Sequence, residues 1–258
     1  MGLTKFILKF AAPVPQIEDF DRYLFIGPHP DDIEIGAGAT AAKLAASGKN
    51  VCFLICIDGR YGDGNAPEGV FGDALVQLRQ KEARQAAKVL GVSDVRFLNL
   101  CDGGYYDQNE LLKKAAEVIG DFQPDVIFAP DPDVKSECHI DHINVGKMAK
   151  RAACLGPYPG VMGHLNVSAA PIKALALYMT AKPNRFVNTT GYLKKQLQSI
   201  FCCHLSQFPK DCEEGKSIQL YLKLRSFEFG LLSFSKCAEG FRVLGPTQMH
   251  CLPEAEFY

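Results

Sequence analysis

NVCFLICID, residues 50–58, is a run of seven apolar residues between two polar ones. An apolar run of this length, without polar alternation, is typical of a parallel β-strand that is buried on both faces. The stretch before it, residues 36–47, is rich in Ala and Leu and ends at Ser47-Gly48, which predicts a helix and its stop. A helix that leads directly into a doubly buried strand indicates an α/β fold.

The alternation of strands and helices continues on both sides of this stretch. Further strands are predicted at residues 21–26, 95–98, 126–129 and 174–179, and further helices at 73–90, 108–122, 139–155, 193–203 and 212–229. The strict alternation up to residue 155 favours right-handed crossovers on a parallel sheet. We therefore expect a Rossmann-like, mostly parallel sheet with helices on both faces. Beyond residue 155 the pattern loosens, which predicts a less regular C-terminal extension with an irregular tail.

The length of 258 residues is consistent with one large domain. We expect a single domain over residues 1–258. Within it, an N-terminal arm spans residues 1–20 and the Rossmann-like core spans 21–155. Residues 156–258 complete the fold and are expected to form a wall of the pocket.

Composition and charge exclude several classes of protein. Hydrophobic residues make up 47% of the chain and charged residues 22%, which excludes disordered and fibrous proteins. The net charge of -1 provides no basic surface for phosphate groups, so we expect neither a nucleic-acid nor a membrane partner. No apolar run approaches the roughly 20 residues that a membrane span needs. The ten cysteines are scattered without a C-x-x-C pair, as in a cytoplasmic protein with reduced thiols.

Two clusters of ionisable residues follow predicted strands. HPDD, residues 29–32, comes after the first strand, and Glu34 lies close behind it. HIDH, residues 139–142, comes after the fourth strand and opens a predicted helix. Because ligands of open parallel sheets bind beyond the carboxyl ends of the strands, these two clusters predict one functional site.

The residue types in the two clusters point to a metal. Two histidines and one carboxylate, with open coordination positions, are the ligands of a catalytic zinc or a non-haem iron. Asp31 and Asp32 are adjacent in an extended segment, so one can bind the metal while the other faces the substrate. His139 and His142 are three residues apart and therefore share a helix face. Each cluster alone is also consistent with a turn or a helix start, but their common position at strand ends favours the metal site.

A dinucleotide-binding motif is the main alternative. Gly36, Gly38 and Ala41 fit the pattern G-x-G-x-x-A, and Asp58 lies about twenty residues further on. This alternative predicts an NAD(P)-binding oxidoreductase. Residues 29–35 separate the glycines from the strand, however, and their carboxylates would repel a pyrophosphate.

The motifs resemble those of the LmbE/PIG-L family of zinc-dependent N-acetylglucosamine deacetylases. The matching segments are PHPDDIEIGAG, residues 28–38, and HIDH, residues 139–142. Further matches cover most of the chain: Arg79-x-x-Glu82, Asp102-Gly103 and His204-x-Ser206-Gln207. The Pro-His-Pro-Asp-Asp form and the Asp58-Gly59 loop look most like the diacetylchitobiose deacetylase branch.

The resemblance implies a role for each residue of the two motifs. Three metal ligands are implied, for zinc or alternatively Fe²⁺: His29, Asp32 and His142. Asp31 is implied as the general base, which takes a proton from water and later returns it to the leaving amine. A protonated His139 is implied to stabilise the negative charge of the tetrahedral intermediate, and Asp141 is implied to hold its ring.

The resemblance also implies an N-acetylated amino-sugar substrate and a homo-oligomer. Many relatives have Thr-x-Gly-Glu after the second strand, whereas this chain has Ile-Asp-Gly-Arg at residues 57–60. Asp58 and Arg60 are candidates for contacts with sugar hydroxyls, or else are a turn residue and a solvated charge. His204 is a candidate for the pocket wall, or else a packed residue. A sugar-binding relative without catalysis is a further alternative.

Overall fold

The computed structural model describes residues 3–257 and contains one sheet with helices on both faces. The predicted domain (1–258) and arm (1–20) include residues 1, 2 and 258, which lie outside the described residues. The strands are β1 Arg22–Gly27, β2 Asn50–Ile57, β3 Asp94–Leu100, β4 Val126–Pro130, β5 Ala174–Tyr178, β6 Arg185–Asn188 and β7 Ala238–Leu244. The helices are α1 Leu3–Ala11, α2 Asp32–Ala46, α3 Gly72–Leu90, α4 Gln108–Phe122, α5 Ile140–Leu155, α6 Pro159–His164, α7 Leu193–Cys203, α8 Glu213–Leu232 and α9 Pro246–His250, followed by a 3₁₀ turn at Pro253–Phe257.

The sheet has seven strands in the order β3-β2-β1-β4-β5-β7-β6. The strands from β3 to β5 in this order are parallel to their neighbours, and β7 is antiparallel to both β5 and β6. The predicted mostly parallel α/β sheet is therefore confirmed. Among the helices of residues 3–257, none combines the length and hydrophobicity that crossing a membrane requires.

Both faces of the sheet are buried, which explains the continuous apolar runs. Successive strand residues point to opposite faces. Phe25, Phe53 and Phe128 belong to the core on one face, and the rings of Phe25 and Phe128 stack with centroids 4.2 Å apart. Leu24 and Leu54 belong to the core on the other face. Because apolar side chains pack on both faces, these strands do not alternate between polar and apolar residues as a half-exposed strand does.

The C-terminal tail differs from the prediction. Strand β7 occupies a segment that was expected to be irregular, and it lies inside the sheet between β5 and β6. Its sequence, AEGFRVL, contains Glu239, Gly240 and Arg242, so it lacks a continuous apolar run. Gly240 packs so closely against Phe229 that a Cβ atom on this glycine would lie only 2.8 Å from the phenyl ring. Three of the seven strands therefore come from residues 156–258.

The glycine-rich N-terminal part of α2 is kinked, and the side chain of Glu239 caps the helix beyond the kink. The backbone is non-helical at Ala37, with φ -152° and ψ 16°. The N–H groups of Ala39 and Thr40 beyond the kink donate to the buried carboxylate of Glu239, at 3.1 and 2.7 Å. A pyrophosphate would need such free N–H groups at a helix start. Glu239 therefore occupies the place where a phosphate would bind.

The glycines themselves have packing roles. A Cβ atom on Gly36 would lie 2.2 Å from the ring of Tyr178, and one on Gly38 would lie 3.1 Å from Gln196. The glycines thus allow α2 to approach β5 and α7 closely. The NAD(P)-binding alternative built on Gly36, Gly38 and Ala41 is not supported by this arrangement.

Glu239→Ala is expected to lower the free energy of unfolding by about 2–5 kcal/mol, because two buried N–H groups lose their acceptor. Urea unfolding followed by circular dichroism measures this change. Glu228→Ala, at an exposed position of α8, is the matched control and should shift stability by less than about 0.5 kcal/mol. Equal stabilities of the two variants would contradict the capping role of Glu239.

Candidate metal centre

The topology brings the two ionisable clusters together. His29 lies two residues beyond the end of β1, and His139 is the N-cap of α5, which follows β4. Strands β1 and β4 are parallel neighbours in the sheet. Their carboxyl ends therefore meet at one edge, as expected for a ligand site in an open α/β sheet.

Three of the predicted side chains form one candidate ligand group: His29, Asp32 and His142. One potential ligand atom of each lies within 4.8 Å of the others. The Nδ1 atom of His29 lies 3.3 Å from Oδ2 of Asp32, and Nε2 of His142 lies 3.4 Å from Oδ1 of Asp32. Two imidazoles and one carboxylate match the donors that Zn²⁺ and Fe²⁺ prefer, so these residues fit a divalent metal ion.

The second nitrogen of each histidine contacts a carboxylate. Nε2 of His29 lies 3.2 Å from Asp102 Oδ1 and 3.3 Å from Asp141 Oδ2. Nδ1 of His142 lies 3.0 Å from Glu137 Oε2. Carboxylates in this position orient metal-binding histidines and fix their tautomers. These contacts leave His29 Nδ1 and His142 Nε2 facing Asp32, as a shared ion requires.

A second group with metal-ligating atoms shares His29 with the first one. Its other members are Asp102, His139 and Asp141. The carboxylate oxygens of this group are already used by backbone donors. Asp102 accepts from the N–H groups of Gly103 and Tyr61, and Asp141 accepts from two N–H groups of the same turn. Asp32 also accepts a backbone N–H, from His29 at 2.8 Å, but only at Oδ2, so its Oδ1 beside His142 is left for a cation and the group containing Asp32 and His142 is the better candidate.

The neighbouring charges shift the pKa values of the candidate ligands. Burial lowers the pKa of His142, but the carboxylates of Asp32 and Glu137 outweigh it and raise that pKa to about 9. Burial opposes ionisation of Asp32, yet His142 and His29 hold its pKa well below the usual range. A divalent cation must displace the protons of these histidines. Metal affinity should therefore fall as the pH falls.

Asp31 and Asp32 are adjacent but contact different groups. Asp31 has φ 124° and ψ -27°, a conformation that few residues other than glycine adopt. This backbone separates the two carboxylates: Asp32 contacts the histidines, while Oδ2 of Asp31 lies 3.5 Å from Nη2 of Arg79. Burial raises the pKa of Asp31 to about 6, although the Arg79 guanidinium opposes the shift. A carboxyl group with this pKa can both accept and return a proton near neutral pH.

His139 has one ring nitrogen occupied by the start of helix α5. Its Nδ1 atom accepts the backbone N–H of Asp141 at 3.3 Å, so the ring proton is on Nε2. Burial lowers the pKa of His139, and the nearby His29 and His142 lower it further. These effects oppose the protonated form that the resemblance implies, and the charge state of His139 stays a prediction.

The carboxylate of Asp141 contacts the turn after β3 and His29 more closely than it contacts His139. It accepts the N–H groups of Gly103 and Gly104, each at 2.9 Å, and it is fully buried. Its closest approach to His139 Nδ1 is 3.7 Å, which is too long for a hydrogen bond. Asp141 thus orients His139 through its backbone N–H, whereas its carboxylate orients His29 and the glycine turn.

The predicted substrate-contacting residues lie beside the cavity. The lining that residues 3–257 provide does not include Asp58, Arg60 or His204. The buried Asp58 carboxylate accepts from Nε of Arg60 at 2.8 Å and from its backbone N–H at 3.1 Å, which stabilises the loop after β2. His204 is fully buried, and its Nε2 atom lies 3.4 Å from Oε1 of Glu34.

The cavity over the metal centre has a volume of about 490 Å³. It is lined by His29, Asp31, Asp32, His139 and His142, together with Arg79, Asp102, Tyr61, Asn65, Gln207 and Glu214 from other elements. Tyr61, Asn65 and Glu214 line the cavity but were not predicted from the sequence. Tyr61 and Asn65 belong to the glycine-rich loop after β2, where exposure to a ligand could have been suspected. No sequence signal pointed to Glu214 or to Glu137.

The chain is similar to known deacetylases in sequence and in fold. The family described as PIG-L, GlcNAc-PI de-N-acetylase, matches residues 24–153. The diacetylchitobiose deacetylase of Thermococcus kodakarensis is 32% identical over 98% of this chain and 93% of its own length. A 1D-myo-inositol 2-acetamido-2-deoxy-alpha-D-glucopyranoside deacetylase of Kineococcus radiotolerans is 30% identical, over 67% of this chain and 55% of its own length. The solved N,N'-diacetylchitobiose deacetylase of Pyrococcus horikoshii has a TM-score of 0.84 at 28% identity and covers 100% of this chain and 98% of its own.

Proposed function

Because the chain belongs to the PIG-L family, GlcNAc-PI de-N-acetylase, we propose that it is a metal-dependent N-deacetylase acting on an N-acetylglucosamine-containing sugar. The observation that carries this proposal is the convergence of His29, Asp32 and His142 next to the separately held carboxylate of Asp31. A metal site with an adjacent proton acceptor is what amide hydrolysis at neutral pH needs.

Zinc is the proposed metal, with Fe²⁺ as the alternative, and His29, Asp32 and His142 are its proposed ligands. The mixed nitrogen and oxygen donor set supports both ions. Bound there, the ion would supply Lewis acidity, which makes water nucleophilic near neutral pH. The contacts of Asp102 and Glu137 with the two imidazoles support this assignment, because they hold the ligand nitrogens in place.

Asp31 is proposed to move the proton. Its carboxylate accepts the proton of the attacking water and then donates it to the nitrogen of the leaving amine. Its pKa of about 6 and its position in the cavity lining support both steps. The Arg79 guanidinium favours the ionised form of the Asp31 carboxyl group, which burial disfavours.

His139 is proposed to stabilise the tetrahedral intermediate. Its Nε2–H can donate to the oxyanion, because Nδ1 is already used by the helix start. Asp141 is proposed as its positioning residue, through the backbone N–H. Asp58 and Arg60 are proposed to shape the substrate loop as a pair, and His204 to support the loop that carries Asp31 through its contact with Glu34.

Acetate release tests the proposal. The full chain, incubated with Zn²⁺, is expected to release acetate from N,N'-diacetylchitobiose or N-acetylglucosamine, as followed by a coupled acetate assay. A chelator should abolish the reaction, and added Zn²⁺ should restore it. A chain that binds one metal ion but releases no acetate from any N-acetylated sugar would contradict the deacetylase function and favour a sugar-binding relative.

We also propose that the chain forms a homo-oligomer. Helix α8 carries four apolar side chains, each more than half exposed, on one stripe: Leu220, Leu224, Phe227 and Leu231. Apolar patches of this kind mark interfaces, and a second copy can cover the patch with its own. A monomer in sedimentation velocity at micromolar concentration would refute this proposal.

A cytoplasmic location and a single domain are proposed for the chain as a whole. All ten cysteines lie within the described residues and are free thiols, as in a reducing compartment. Strand β5, from residues 156–258, pairs with β4 of the core, so the sheet crosses the boundary at residue 155. Cell fractionation checks the location, and one cooperative unfolding transition checks the single domain.

A further inference from the structure

Two exposed tyrosines stand beside the cavity over the metal centre. Tyr61 lines the cavity and is 57% exposed, whereas Tyr105 is outside the lining of the described residues, lies next to the ring of Tyr61 and is 75% exposed. Their ring centroids are 6.3 Å apart, and the ring planes are inclined by 86°. Gly103 lies close to both rings: a Cβ atom on this glycine would be 3.3 Å from Tyr105 and 3.7 Å from Tyr61. The rings therefore form one aromatic corner at the cavity.

The aromatic corner is fixed relative to the metal centre. The N–H of Tyr61 donates to Oδ2 of Asp102 at 3.2 Å, and Oδ1 of the same carboxylate lies 3.2 Å from Nε2 of His29. Tyr105 follows the glycine turn whose N–H groups donate to Asp141. Asp102 thus connects the backbone of Tyr61 to His29, and Asp141 connects the glycine turn before Tyr105 to the same histidine. A ligand that contacts both regions would meet a preformed surface.

The chemistry of the corner suits a sugar ring. A pyranose has faces of C–H groups and a rim of hydroxyl groups. The negative face of an aromatic ring attracts such positively polarised hydrogens. Tyrosine provides a large, rigid contact area at low cost in side-chain entropy. Packing in the protein core is not the reason for these rings, because most of each side chain is exposed.

We propose that Tyr61 and Tyr105 form a second subsite, which binds the sugar ring next to the one that carries the reacting acetamido group. This inference rests on the proposed deacetylase function and specifies its substrate class. The aromatic corner favours a disaccharide or a longer saccharide over a single N-acetylated sugar. The loop with Asp58 and Arg60, which departs from the sequence of many relatives, presents Tyr61 to that second ring.

The test compares two substrates in variants of the full, zinc-loaded chain. The readout is the ratio of kcat/KM for N,N'-diacetylchitobiose to kcat/KM for N-acetylglucosamine. Tyr61→Ala and Tyr105→Ala are each expected to lower this ratio by about 3- to 10-fold. Tyr61→Phe, which keeps the ring, should restore it. Tyr158→Ala, at an exposed tyrosine of the turn before α6, is the matched control and should leave the ratio unchanged.

An unchanged ratio in both alanine variants would overturn the subsite, as would a loss in Tyr61→Phe equal to that in Tyr61→Ala. If the wild-type chain released no acetate, the proposed function would be wrong, and calorimetry would test the subsite without turnover. Weaker binding of N,N'-diacetylchitobiose to Tyr61→Ala than to the wild type would then support the aromatic subsite. Equal affinities would overturn it.

Discussion

Asp31→Asn is expected to lower kcat for acetate release by about 10²- to 10⁴-fold, the usual contribution of general acid–base catalysis. The variant keeps the shape of the side chain but cannot accept the proton of the attacking water. Asparagine has nearly the same size and shape as aspartate, so the backbone at this position, with φ 124°, should be preserved. The acetate assay measures the rate, and elemental analysis measures the bound metal, which should stay at about one ion per chain because Asp31 is not a proposed ligand.

The pH profile provides an independent readout of the same residue. The pKa of Asp31 is raised to about 6, and only its ionised form accepts a proton. The wild-type kcat/KM should therefore be present above this pH and decline as the pH falls through it. With Zn²⁺ in excess, so that loss of metal at low pH does not limit the rate, the residual activity of Asp31→Asn should lack that acid limb.

A matched substitution separates the role of Asp31 from general effects of charge. Asp133→Asn changes an exposed aspartate after β4 that pairs with Lys150 at 2.6 Å and does not line the site cavity. It should retain kcat within about 2-fold of the wild type, since exposed ion pairs contribute little. A kcat of Asp31→Asn within 10-fold of the wild type, or loss of its metal, would contradict the assignment as general base.

The proximity of the candidate ligands could be predicted because each of the two clusters is local in sequence. HPDD at 29–32 and HIDH at 139–142 each follow a strand, and β1 and β4 are neighbours in a parallel sheet. Sheet topology then brings two motifs more than a hundred residues apart to one edge. Knowing the strands and their direction was sufficient to place the candidate ligands together.

Two of the supporting residues, Glu137 and Tyr61, could not be predicted, because they depend on the paths of loops. Glu137 reaches His142 only because the segment before α5 folds back on the helix start, and the same carboxylate accepts the N–H of His139 at 2.8 Å. Tyr61 lines the cavity from the loop after β2, and its N–H donates to Asp102, which follows β3. Neither contact follows from a periodic pattern or a strand end.

Strand β7 was missed for a different reason. Its inner positions include Glu239, whose carboxylate caps the kinked helix α2, so the strand contains a charged residue where apolar ones are expected. Asp58 is likewise a buried charged residue, and its partner Arg60 lies in the same irregular loop after β2. A charged residue can be buried next to a partner that is distant in sequence or lies in an irregular loop. From the sequence alone, such a residue cannot be distinguished from a surface residue or a ligand-binding residue.

His142→Ala is expected to weaken metal binding by more than about 100-fold, beyond the 10- to 100-fold that loss of an outer-sphere partner costs. The variant removes one of three proposed ligands and leaves the carboxylates of Asp32 and Glu137 without their shared imidazole. Competition with a chromogenic chelator measures the affinity, and the acetate assay should show no turnover. His164→Ala, on the short helix α6, is the matched control and should bind metal like the wild type.

Two additional variants make the metal prediction specific to one ligand group. Glu137→Gln removes only the carboxylate that orients His142, so its affinity should fall by about 10- to 100-fold and lie between the wild type and His142→Ala. Thermal unfolding of all variants shows whether the fold is retained. If His142→Ala kept its metal while Asp102→Asn lost it, the ion would belong to the group of His29, Asp102, His139 and Asp141. The backbone N–H groups that already donate to Asp102 and Asp141 argue for the opposite result, because each of the four carboxylate oxygens accepts one such bond and, within residues 3–257, Oδ1 of Asp32 accepts none.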